Sequence, residues 1–181
     1  MLFRSCRSRS LSRRARPPVV TEARKVLVVG PSWVGDMVMA QALYRLIRQR
    51  TPAAEIHVVA PPWSLPVLER MPEVARAVAL EVGHGELALG RRRALGVRLR
   101  AERYAHAIVL PRSVKAALVP WFARVPRRTG FRGEWRYGLI NDMRSQGSAL
   151  DQTVKRFVAL GLDQGEAFGP DRKSTRLNSS H

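Results

Sequence analysis

Two rhythms of apolar residues alternate along this chain. Val26, Leu27, Val28 and Val29 form an unbroken aliphatic run, the pattern of a strand buried on both faces. The run breaks at Gly30-Pro31, passes a short loop containing Gly35, and gives way at Asp36 to a helical period. From Asp36 to Arg50, Met39, Leu43, Leu46 and Ile47 share one face, while Gln41, Arg45, Arg48 and Gln49 fall elsewhere. Arg48 and Arg50 stand in the last turn, where cations complement the helix dipole, and Thr51-Pro52 ends the helix. The alternation then repeats. Strands are predicted at 55–60 (EIHVVA), 76–82 (RAVALEV) and 105–110 (AHAIVL). Between and after them, helical patterns run around 64–70, over 86–103 despite Gly90 and Gly96, from near Ser113, and over 152–160. Such alternation predicts an α/β fold, a Rossmann-like doubly wound and mostly parallel sheet.

The pattern stops at both ends. Residues 1–24 are rich in Arg and Ser with no acid before Glu22. That composition resembles a transit peptide, a basic disordered arm, or upstream sequence translated from a misplaced start; the last agrees best with a domain beginning at residue 25. Residues 171–181 (DRKSTRLNSSH) carry no apolar period and resemble a translated sequencing-adapter tail. The expected organisation is a basic extension over 1–24, one domain over 25–170, and a non-native tail over 171–181.

Charge changes this picture only in part. The net +18 is uneven: residues 1–25 hold eight Lys/Arg against one acid, residues 171–181 three against one, and the remainder 21 against 12. The central excess still predicts an anionic partner: a phosphate-bearing substrate, an anionic lipid surface or nucleic acid. Cys6 is the sole cysteine, so no intrachain disulfide can form. The longest apolar run, AALVPWFA at 116–123, is too short to span a bilayer and contains a proline.

The loop after the first strand is the richest in chemistry. Gly30 and Gly35 stand at P-loop spacing, but Asp36 and Met37 follow where a P-loop carries Lys and then Ser or Thr. The inverted charge argues against a phosphate-cradling NTPase loop. A carboxylate at a strand tip suits removal of a proton from a substrate hydroxyl. Aspartate near a helix N-terminus is also a common cap, and a capping carboxylate would be a weaker base. A nicotinamide dehydrogenase is disfavoured: the loop lacks G-x-G-x-x-G, and Ala60-Pro61-Pro62 stand where an acid would hold a ribose.

Longer motifs carry a resemblance. GPSWVGDMVMAQALYR at 30–45, MPEV at 71–74, GHG at 83–85 and KAALVPWFARVPRRTGFRGEWRYGLINDMR at 115–144 closely resemble the N-terminal domain of the lipopolysaccharide heptosyltransferases, inverting glycosyltransferases of the GT-B type. The similarity runs from about Lys25 to Gly161, roughly the first half of a family member. The resemblance implies transfer of heptose from ADP-heptose to the first heptose of the inner core, on a Kdo-lipid A acceptor at the cytoplasmic face of the inner membrane. It implies that this domain binds the acceptor, that a C-terminal Rossmann-like domain absent here binds ADP-heptose, and that the chain alone is inactive. It places the family's catalytic base on Asp36.

Further candidates follow from the same motifs. Arg112, Ser113 and Lys115 combine a helix start with a hydroxyl and two cations, suited to an acceptor's carboxylates and phosphates. Related enzymes commonly have Asn at the position of Arg112, and the other reading is a capping serine beside a solvated lysine. Arg128, Arg132 and Arg136 lie in an arginine-rich stretch interleaved with Phe131, Trp135 and Tyr137; arginine forks bind oxyanions, and aromatic faces pack on sugars. Its alternative is a solvated basic strand or loop with those aromatics in the core. Ser32, Trp33 and Gly35 would shape the acceptor pocket. Arg91-Arg92-Arg93 reads as a solvated helix face able to rest on anionic lipid, and His84 is a weak signal. The histidines and lone cysteine have no zinc spacing, so no metal and no cofactor are expected. A basic nucleic-acid-binding module is the competing class, but no nucleic-acid-binding motif is found.

Overall fold

The first apolar run is strand β1 (Lys25–Val29), buried at four of its five residues. A computed structural model describes residues 25–83, 86–133, 135–145, 150–163 and 166; the predicted extensions at 1–24 and 171–181, and His84, lie outside them. β1 pairs in parallel with β2 (Glu55–Ala60) on one side and β4 (His106–Val109) on the other. β3 (Val74–Ala79) adds beyond β2, while β5 (Arg127–Phe131) and β6 (Asp142–Arg144) add beyond β4. The sheet is wholly parallel in the order β3-β2-β1-β4-β5-β6, which is the Rossmann-like arrangement expected.

Helices cover both faces, which is why β1 is apolar without alternation. Val26 and Val28 belong to the core built with α1 (Val34–Arg50), the short α2 (Leu65–Leu68) and α5 (Thr153–Gly161), through Met37, Leu43, Leu68, Phe157 and Leu160. Leu27 belongs to the opposite core, with Leu95 and Leu99 of α3 (Leu89–Leu99) and Val119 of α4 (Val114–Phe122).

Gly96, which weakened the helix pattern, has a packing reason. A Cβ there would stand 2.5 Å from Phe122 Cβ and 2.8 Å from the Val119 carbonyl oxygen, so α3 and α4 cross too closely for any side chain. α3 also starts later than its pattern suggested, because Ala88 turns the chain at a φ of 40°. The third strand forms at 74–79 rather than 76–82; it is a half-exposed edge strand, and its apolar signal spills into the following loop.

β5 and β6 are not evident as strands in the sequence, because charged residues occupy their ladder. Their pairing is secured by polar side chains. Asp142 receives hydrogen bonds from Thr129 Oγ1 at 2.8 Å, Arg127 Nε at 3.1 Å and Arg144 Nε at 3.0 Å. Since the Thr129 hydroxyl gives its one proton to Asp142, His106 Nε2, 2.7 Å from that oxygen, must be the donor of the next bond. Burial, with help from the Arg127 charge, pushes the His106 imidazole down to about 4. Burial works to raise the Asp142 carboxyl, but hydrogen bonds from Arg144, Thr129 and Arg127 outweigh it and hold it at about 2.

Both groups bind protons more readily when unfolded, so both make stability fall as pH falls. The His106 contribution is lost between about 6.5 and 4, and that of Asp142 between about 4 and 2. His106→Gln is expected to flatten the upper segment of a plot of urea midpoint against pH; an unchanged slope above pH 4 contradicts the assignment. Gly96→Val is expected to cost about 1–3 kcal/mol by overpacking, and an unaltered urea midpoint would show that the helices separate freely.

Candidate functional site

A parallel sheet brings every strand's carboxyl end to one edge, and a crevice opens where the connections from adjacent strands diverge. That switch point lies between β1 and β4. A cavity of about 430 Å³ occupies this edge, walled by Pro31, Ser32 and Trp33 after β1, Pro61 and Trp63 after β2, and Leu110 to Arg112 after β4.

Asp36 faces this cavity from the first turn of α1, half-buried. The N-cap position belongs to Trp33, and no hydrogen bond or ion pair joins the Asp36 carboxylate to another described residue. The carboxylate is therefore not engaged as a cap. Gly30 packs against the side chain of Met37 in the first turn of α1: a Cβ there would stand 2.6 Å from Met37 Cε. Gly35 is exposed in the same turn, with open space where a Cβ would be, and does not line the cavity. The loop is fixed from outside by Trp63, whose Nε1 donates to the Ser32 carbonyl at 2.9 Å. Trp33 and Trp63 stay 67% and 50% exposed, two aromatic faces at the rim that a sugar ring can stack against.

The charge of the lining comes from several elements. Arg112 and Lys115 line the cavity, as do Arg92 of α3 and Arg156 of α5. Among the described lining residues these four cations face a single carboxylate, Asp36. Ser113 is the N-cap residue of α4, but its hydroxyl makes no capping bond; the residue lines a smaller adjoining chamber rather than the main cavity.

Arg92 corrects the reading of 91–93 as a solvated face. Its side chain is 4% exposed and donates from Nε to the Leu87 carbonyl at 2.7 Å and from Nη1 to the Lys115 carbonyl at 3.2 Å. A signal was available: Arg92, Leu95, Gly96 and Leu99 are all buried, the i, i+3, i+4, i+7 face of α3. Arg156 of α5 is half-buried and donates to the Leu150 and Asp151 carbonyls at 2.9 and 3.0 Å. Trp63 had no signal at all, since its place depends on the single 3-10 turn Pro62–Ser64 that follows a different strand.

The arginine-rich stretch divides. Arg128 lies at the amino end of β5, away from the cavity, and donates to the carbonyls of Leu139 at 2.6 Å, Val125 at 2.5 Å and Gly138 at 3.3 Å. Arg132 is exposed, its Nε 3.2 Å from Tyr137 Oη, and does not line the cavity. Arg136 is fully buried; it donates to the Pro111 carbonyl at 2.7 Å, to Ser113 at 3.5 Å and to Phe131. It is a strut between the loop that carries Arg112 and the end of β5. Trp135 and Tyr137 are 91% and 64% exposed, so of the interleaved aromatics only Phe131 is in the core.

Among the described residues, no three His, Cys, Asp or Glu side chains gather as a metal site, and no helix is long and apolar enough to cross a membrane.

Residues 92–176 match glycosyltransferase family 9 (heptosyltransferase). Lipopolysaccharide heptosyltransferase 2 of Escherichia coli (strain K12) is 55% identical over 142 residues, 78% of this chain and 41% of the relative. Lipooligosaccharide heptosyltransferase 2 of Haemophilus ducreyi is 46% identical over 147 residues, covering 81% of this chain and 42% of the relative. The resemblance to the heptosyltransferases is borne out. The solved structure of E. coli ADP-heptose lps heptosyltransferase II is 52% identical, with a TM-score of 0.71 over 78% of this chain and 41% of that one. A glycosyl transferase family 9 protein from Veillonella parvula keeps the fold at 13% identity, with a TM-score of 0.67 over 76% of this chain and 40% of that one. The chain thus spans about two-fifths of the length of these relatives.

Because Arg136 bonds three carbonyls from the interior, Arg136→Met leaves those acceptors buried and unpaired. The expected loss is at least about 2 kcal/mol of folding stability, read as a lowered urea midpoint. A midpoint equal to that of the parent chain would show that Arg136 does not brace the β4 loop.

Proposed function

We propose that this chain is the acceptor-binding half of an inverting heptosyltransferase, with Asp36 as the general base. In this reading the acceptor is the first heptose of a lipopolysaccharide inner core, on Kdo-lipid A, and the donor is ADP-heptose held by a second Rossmann-like domain. The observation that carries it is the half-buried Asp36 carboxylate, facing a cavity at the switch point without a capping bond. High identity to enzymes named heptosyltransferase 2 supports the substrate class.

The chemistry follows from the placement. Asp36 accepts the proton of the acceptor hydroxyl as its oxygen attacks the anomeric carbon of the donor. ADP departs from the opposite face, so the configuration inverts. Trp33 and Trp63 hold the sugar by its faces, and Arg112, Lys115 and Arg156 draw the acidic inner core to the mouth. The same cations and the exposed Trp135 suit a protein resting on the anionic inner membrane from the cytoplasmic side.

The test joins this chain to the donor half of the E. coli relative and measures heptosyl transfer. Asp36→Asn in the joined enzyme is expected to lower kcat by about 10²–10⁴-fold, the range of a lost general base, while the chain by itself turns nothing over. Full activity in Asp36→Asn would remove Asp36 from the mechanism.

A further inference from the structure

A second cavity, of about 360 Å³, opens at the opposite edge of the sheet, over the amino ends of β1, β4 and β5. It shares no lining residue with the main cavity. The last turn of α5 leaves it open by leaning on α1. A Cβ at Gly161 would stand 2.6 Å from Leu43 Cδ1, so the helix end rests on α1 instead of on the sheet. Val26, Ile47, Ala54 and Ile108 line the space, and all four are core residues no more than 9% exposed.

Two polar groups of this lining have hydrogen-bonding capacity to spare. His106 gives its Nε2 proton to Thr129 Oγ1, so Nδ1 carries a lone pair and no proton. Neither Nδ1 nor the Thr51 hydroxyl is bonded to another described residue, and neither is one of the unpartnered atoms sealed in the interior. Thr51 is only 6% exposed, so the open space its hydroxyl reaches is this cavity. The charges at the mouth, by contrast, are already matched. Arg50 is paired with Glu166, and Arg127 with Asp142 at 3.0 Å and Asp163 at 3.7 Å. With each guanidinium holding a carboxylate, the lining favours a neutral guest over an ion. A dry apolar cavity of about 150 Å³ holds one benzene ring, so this volume admits two fused rings.

We propose that this cavity is a second ligand site, taking a neutral indole or phenol whose ring fills the space between the sheet and the ends of α1 and α5 while its N–H or O–H donates to His106 Nδ1. The site is independent of the transferase reading. Affinity comes from the ring, which replaces water against Val26, Ile47, Ala54 and Ile108. Orientation comes from the donor, because a buried acceptor left unpaired is costly. The Thr51 hydroxyl serves a second polar substituent. One helix lines both cavities, with Arg156 and Phe157 of α5 at the main one and Gly161 at this one. A ring seated here therefore braces the helix that carries Arg156.

The experiment titrates the full chain with indole by calorimetry and repeats the titration with 1-methylindole, which keeps the ring and loses the donor. Indole is expected to bind about fivefold more tightly, the effect of one hydrogen bond. His106→Gln, whose amide can still donate to Thr129, should reduce indole to the level of 1-methylindole and leave 1-methylindole unchanged. Ala54→Leu should abolish binding of both by filling the space; if that variant does not fold, His106→Gln decides. Trp63→Ala, at the rim of the main cavity, should change neither. No binding of indole, equal affinity of the two ligands for the parent chain, or indole binding indifferent to His106→Gln overturns the proposal. Binding lost in Trp63→Ala places the ring in the main cavity, and benzoate bound more tightly than indole shows a site that selects charge; either result overturns it too. The same titration on the chain joined to the donor half of the E. coli relative should return the same affinity. Binding lost there means that the rest of the enzyme covers the cavity, and the proposal falls.

Discussion

The structure depends on β1 being paired in parallel on both sides. A strand so placed can bury every backbone group only if its neighbours arrive by crossovers, and those crossovers must cover both faces of the sheet. The ladder continues past the named strands, with Gly30 N–H donating to Val59 O at 2.9 Å and Leu110 N–H donating to Val29 O at 3.1 Å. The loops that follow β1 and β4 therefore leave the sheet at a fixed height. They diverge because the connection from β1 crosses toward β2 and that from β4 toward β5. The cavity is the space this divergence leaves; Asp36 and Lys115 reach it from the first turns of the two departing helices, and Arg112 from the loop just before α4.

Arginine serves two purposes here that composition cannot separate. The planar fork of a guanidinium meets several carbonyls at once without a change of rotamer. Arg92, Arg128, Arg136 and Arg156 each use it that way, bonding at least two backbone oxygens. These four guanidinia thus brace irregular chain, where strand and helix bonds are missing. Arg92 and Arg156 do both, since they brace loops and also line the cavity.

Local pattern was sufficient for the central layers. The run 26–29, the helix that follows it and the strands at 55–60 and near 105–110 are set by burial on both faces, and burial on both faces is visible as an unbroken apolar run. Asp36 was visible for the same reason, being tied by a few residues to the first of those strands. The edge strands were less visible. β5 and β6 carry arginine and aspartate in the ladder, and their pairing relies on Asp142 meeting residues 13 to 15 positions away.

What the amino-acid order determined by itself was the succession of strands and helices and the carboxylate at the first helix's start, because periodicity and near neighbours are properties of short segments. Only the tertiary structure decided which cations share a space with that carboxylate. Arg92 and Arg156 come from helices on opposite faces of the sheet, and Trp63 from the loop after a different strand. Arg128 and Arg136, inside the long motif at 115–144, are turned toward carbonyls instead. The reason is that a buried guanidinium must satisfy its protons wherever acceptors lie, and the chain's path through space, rather than its order, sets where they lie.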